Sequence, residues 1–146
     1  MDKPKVVTPS IADTLTADPD DLEKAEKINI VQSREIRENG SSFIGFACKV
    51  KSAADVSRAY LRLKIEFPST DDIMCAYSIP HGAKSQHIDY LNDQEHGGGY
   101  SCFRALDEKS LNNTAVFVSR SFNGVHIGGK RFKLIQQAAE DALELL

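Results

Sequence analysis

The sequence predicts an α+β fold, a two-layer sandwich of helices on a small mixed sheet. Three observations lead there. Apolar runs of strand length alternate with amphipathic helical patterns along most of the chain. The strands are few and short, so the sheet is small and the helices must segregate against it. With 146 residues, 41% of them hydrophobic, there is room for one ordinary core and a tail.

Residues 1–31 read as an acidic N-terminal tail carrying a short helix, and residues 32–146 as the domain. Pro4 and Pro9 leave the start without periodicity. In ADPDDLEKAEK, Asp18 can cap and Pro19 suits the first helical position, while Asp20, Asp21 and Glu23 complement the positive end of the dipole. Leu22, Ala25 and Ile28 give that helix a narrow apolar face. SSFIGFACKV alternates, with Ile44, Phe46, Cys48 and Val50 on one side, and is a strand. Ser52 and Asp55 then resemble a capping box. Val56, Tyr60, Leu63 and Phe67 follow at helical spacing until Pro68 ends the run. IMCAYSI, from Ile73 to Ile79, is a second strand.

From Pro80 to Gly99 the chain is polar and closes on three glycines, which reads as a long exposed loop interrupted by a short strand near His87 to Leu91. YSCFRALDEKSL is helical. TAVFVSR, ending at Arg120, is a strand. Asn123-Gly124 suits a tight hairpin turn, and VHI a short extended piece. The last helix places Phe132, Ile135, Ala139, Ala142, Leu143 and Leu146 on one side.

Composition narrows the function. No apolar run nears the roughly 18 residues of a membrane span, and the acidic start has neither an apolar h-region nor a transit-peptide character, so a cytoplasmic protein is expected. Cys48, Cys75 and Cys102 lie far apart without a CxxC pair, which favours reduced thiols. The net charge of −3 argues against a general polyanion binder. Its distribution is uneven: between Ser110 and Ala139 there is no acid, only the four bases Arg120, Lys130, Arg131 and Lys133.

Part of that stretch, GVHIGGKR, copies the spacing of a phosphate loop. A true loop needs Ser or Thr after the lysine to hold magnesium, and Arg131 stands there; no later strand can supply the partner acid. No nucleotide and no cofactor are therefore expected. The glycines have a simpler use in turning the chain and leading it into a helix. Lys130 and Arg131 at a helix N-terminus oppose its dipole, a cost that an anion or an acidic partner would relieve.

Arg120-Ser-Phe-Asn-Gly124-Val-His-Ile-Gly128, followed by Lys130-Arg131-Phe132-Lys133, resembles the R-[YF]-[FY]-G-G-[IV]-x-L-G signature of the IMPACT/YigZ family, and the RFK variant is similar to its eukaryotic IMPACT branch. Asn92-Asp-Gln-Glu95 with Gly97 to Gly99 is similar to the family's D-D-G-E segment. Ala76-Tyr77, and Ser42-Phe43 with Ala47 to Val50, fit two family strands. The chain departs from the pattern at Asn123, Gln94 and His96, and Asp72 stands where the family often has histidine. The RWD domain usual in IMPACT proteins is not expected from these residues, where a short acidic tail precedes the domain.

The resemblance implies a domain like ribosomal protein S5 domain 2. It also implies a non-enzymatic regulatory role in translation-linked stress signalling during amino-acid starvation, acting by protein–protein contacts. Partners it points to are actin or a kinase-pathway component. The partner- or anion-binding residues are then Arg120, His126, Lys130, Arg131 and Lys133, steering an acidic protein surface; Asp93 and Glu95 form the family acidic segment. An alternative is an RNA- or ribosome-associated accessory domain using the same patch, joined by Arg58 and Arg62 of the earlier helix. A third is a small hydrolase or metal enzyme built on Asp93 and Glu95. His81, His87, Asp89 and His96 lie in the same polar stretch but lack a metalloenzyme spacing, so no metal site is assigned. Phe43, Phe46, Tyr60, Phe103, Phe117 and Phe132 fall at core periodicity.

Overall fold

The computed structural model describes residues 19–81, 85–92, 97–122 and 127–146. Along the chain run helix α1 (Pro19–Glu26), strands β1 (Val31–Gln32), β2 (Ile36–Glu38) and β3 (Ser41–Lys49), and helix α2 (Ala53–Glu66). Strands β4 (Asp72–His81) and β5 (Ser85–Leu91), helix α3 (Gly98–Glu108), strand β6 (Thr114–Ser121) and helix α4 (Lys130–Glu144) follow. The strands form one sheet in the order β1-β3-β6-β4-β5, with β2 beside β1 on the same side of β3. The α+β class is as expected, but every described pairing is antiparallel where a mixed sheet was expected.

The expectation of two layers is also corrected. Phe43, Ala47, Met74, Ala76, Val116 and Val118 face α3 and α4. Phe46, Cys48, Ile73, Cys75, Tyr77, Ala115 and Phe117 face α2, and Ile28, just past α1, packs there too. Helices therefore cover both faces, in three layers. The physical reason is visible in FIGFAC, IMCAY and TAVFV: a strand buried on both sides carries apolar residues at every position rather than at alternate ones. Alternation in SSFIGFACKV gave one face correctly and hid the other.

The helix opposite Phe46 begins where the sequence placed it. Ser52 Oγ accepts from Asp55 N at 3.4 Å, and Asp55 Oδ2 accepts from Lys51 N at 3.0 Å, a reciprocal cap shifted by one residue from the standard box. On the other face α3 and α4 lie side by side and run the same way: Gly97 sits under Phe132 at one end, and Lys109 is 3.7 Å from Glu144 at the other. Helix α4 also presses on β3. A Cβ on Gly45 would stand 2.0 Å from the Ala138 carbonyl oxygen, so only glycine admits this approach.

The short strand expected near His87 to Leu91 is present and begins two residues earlier. Residues 85–91 pair with β4 from Ser85↔His81 to Leu91↔Cys75 as the edge of the sheet. An edge strand needs few apolar residues, which is why its first two, Ser85 and Gln86, read as loop. Leu146, expected on the buried side of α4, is 42% exposed.

Candidate functional site

The two glycine-containing stretches singled out in the sequence meet at the start of the helix pair. Gly97 has φ +90°, a conformation natural to glycine, and a Cβ there would come within 3.0 Å of the Phe132 ring. Asn92 Oδ1 accepts from Gly99 N at 2.7 Å, tying the incoming chain to the first turn of α3. Gly128, at φ +65°, turns the chain into α4, whereas Gly129 is already helical and open to space. The expected Gly128-Gly129 pair is thus one conformational requirement and one ordinary position.

Electrostatics at this mouth lean positive but include acids, with Arg104 3.7 Å from Glu108 on its own helix. The N-termini of α3 and α4 lie together, and neither helix has an acid in its first turn or a side-chain cap on its N-cap residue. Two positive dipole ends therefore add. Between them runs a cleft of about 330 Å³ lined by Gly97, Tyr100, Ser101, Arg104, Phe132 and Lys133. The Arg131 guanidinium lies 4.3 Å from the Phe132 ring centroid and donates to the Gly128 carbonyl at 2.6 Å. Lys130 Nζ reaches Glu38 Oε1 on β2 at 2.9 Å, a solvent-exposed pair. Lys133 is exposed.

Arg120 occupies a different environment. Its side chain is 12% exposed and holds Asp72 Oδ2 at 3.2 Å, the carboxylate itself 5% exposed. The backbone is fixed as well: Asp71 N and Thr70 Oγ1 both donate to Arg120 O at 3.0 Å, and Phe122 N donates to Asp71 Oδ2 at 2.6 Å. Asp72, the residue at the resemblance's histidine position, is thus the counter-ion of the signature arginine. Arg58 pairs with Asp55 at 3.0 Å, and Arg62 with Glu66 at 2.8 Å and with the Ile28 carbonyl; both stand on α2, across the sheet from the mouth. His126, Asp93 and Glu95 lie outside the described residues.

Tyr100 and Arg104 were not singled out by sequence. Their spacing of four in YSCFR, which puts them on one helical face, was the available signal. Tyr100 stacks on Phe103 at 5.8 Å and meets Tyr90 at 6.1 Å. Burial first, then Tyr100, pushes the Tyr90 phenol upward. All three thiols are buried and none forms a disulfide. Burial, helped by the Asp55 carboxylate and opposed by Arg62, moves Cys48 from 9.0 to about 12, and burial also raises Cys102. Thiols so raised are poor nucleophiles. Among the described residues no three His, Cys, Asp or Glu converge as metal ligands, and no helix is long and apolar enough to cross a membrane.

Residues 39–143 match the family described as the Impact N-terminal domain. The chain belongs to the IMPACT family. A Protein IMPACT homolog of Schizosaccharomyces pombe is 34% identical over 123 residues, covering 82% of this chain and 43% of the relative. The chain spans about half the length of the curated IMPACT relatives it matches. Among solved structures, the two-domain translational regulator Yih1 superposes with a TM-score of 0.56 at 25% identity, covering 99% of this chain and 54% of that one. A crystal structure of a hypothetical protein shares the fold, with a TM-score of 0.66 at 15% identity over 79% of this chain and 57% of that one.

Proposed function

We propose that this IMPACT domain is a non-enzymatic regulator of translation that docks an acidic protein surface at the mouth of α3 and α4. The observation that carries this reading is the pairing of two helix N-termini, free of first-turn acids, with Arg104, Arg131 and Lys133 around Phe132. Exposed bases steer an acidic partner, and the half-buried ring anchors it. The description of Yih1 as a translational regulator supports the role. In this reading the domain works in the cytoplasm, in starvation-linked signalling, with actin or a kinase-pathway component as partner. Lys130 contributes once released from Glu38, and Arg120 holds the strand that leads to the surface.

The test is a double charge reversal, Arg131→Glu with Lys133→Glu, measured against actin and against single-stranded RNA across a salt series. Loss of actin binding in a protein that remains folded supports the reading. Tyr100 and Phe132 beside the bases favour RNA as the second reading, since bases of single strands stack on such rings. RNA affinity that falls steeply with salt, together with no actin binding, would select it.

A further inference from the structure

The helix pair has a second end, and its chemistry is the reverse of the first. Where α3 finishes, the same face of the sheet opens into a pocket of about 280 Å³ between β4, α3 and the turn into β6. Phe103, Leu106 and Leu111 give it an apolar floor. Ser78 interrupts that floor. It sits on β4 opposite Thr114, is 4% exposed, lines the pocket, and its hydroxyl has no hydrogen-bond partner in the structure. A buried hydroxyl left unpaired is unfavourable; its oxygen is shut off from solvent, and a donor that reached it through a small shift of the pocket wall would relieve that cost.

Charge selects the ligand. The other polar groups on the wall are Asp107, Ser110 and Asn112, all able to accept hydrogen bonds, and among the described residues no Lys, Arg or His lines it. The pocket lies at the negative end of α3, whose last turn carries no base, as does that of α4. The nearest lysine in sequence, Lys109, is directed to Glu144 at 3.7 Å. An ammonium offers donors and no acceptor, and Phe103 gives its alkyl arm an apolar wall. The volume suits a short alkyl chain, not a peptide segment.

We propose that this pocket binds a primary alkylammonium group, its charge against Asp107, a donor to Ser78 Oγ and its alkyl arm on Phe103 and Leu106. The group can come from a free amine or from a lysine side chain of another protein. Titration of the whole chain followed by amide NMR, with butylammonium, a blocked lysine amide and butanol in turn, tests it. Shifts should concentrate at Ser78 and residues 103–112, with butanol binding at least about tenfold more weakly. Asp107→Asn should weaken butylammonium about tenfold and Ser78→Ala several-fold, while Lys64→Ala on α2, across the sheet, changes nothing. Tighter binding of the blocked lysine assigns the site to a protein side chain; tighter binding of butylammonium assigns it to a free amine. Equal binding of butanol, an unaffected Asp107→Asn variant, or shifts elsewhere would overturn the proposal.

Discussion

Arg120 and Lys133 belong to the same acid-free stretch, yet Arg120 is nearly enclosed against Asp72 while Lys133 stands exposed in the first turn of α4. The difference comes from the elements that carry them. A residue on a central strand has a neighbouring strand on each side, and Arg120 pairs with Phe43 on one and Asp72 on the other. A residue at the start of a surface helix keeps a solvent side. Positive charge in a sequence therefore states how much is present, and the element decides whether it builds the fold or meets a partner.

The comparison breaks most visibly at Arg120. Arg120→Ala removes the cationic partner of a buried carboxylate and should cost about 3–5 kcal/mol, read as a lower urea midpoint. A double-mutant cycle with Asp72→Ala should recover part of that loss, because both charges then leave together. If Arg120→Ala keeps full stability and loses partner binding instead, the division of roles drawn here is wrong.

At Gly97 the expected effect is smaller, of order 1–3 kcal/mol for Gly97→Ala, from its positive φ and the Phe132 ring. Smaller again is Gly128→Ala, at about 1 kcal/mol, set against Gly129→Ala, which should change the thermal midpoint little. The double reversal of Arg131 and Lys133 sharpens the contrast from the other side. Stability should stay within about 0.5 kcal/mol, shifted if at all toward greater stability because acids suit a helix N-terminus, while partner affinity drops.

The least effect is expected from a thiol reagent. Native protein should remain unlabelled at mildly alkaline pH and react at Cys48 and Cys102 only when unfolded. The linkage has a definite sign. Below about 9 the Cys48 thiol is protonated in both states and makes no difference. Between about 9 and about 12 the unfolded chain loses its proton and the folded one does not, so stability falls as pH rises.

Legibility followed the range over which each signal acts. The Ser52 cap, the Val56–Tyr60–Leu63 face and the strands at Ile44, Ile73 and Thr114 are set by neighbours a few residues away, and they stood where the sequence put them. Strands β1 and β2 have two and three residues, too few for any period to register. The glycines at 97–99 and the RFK turn were each noticed, but their meeting depends on two parallel helices that no local pattern reveals. Asp72 as the partner of Arg120 was hidden in the same way, since 48 residues separate them and the sheet register joins them.

Two helices laid side by side and pointing the same way make the domain a compass needle. Near any charged body it would feel a torque as well as a pull, so one pole arrives first and the rotational search before contact shortens. Flipping either helix in a redesigned topology would keep the surface residues and the net charge and lose that sense of direction.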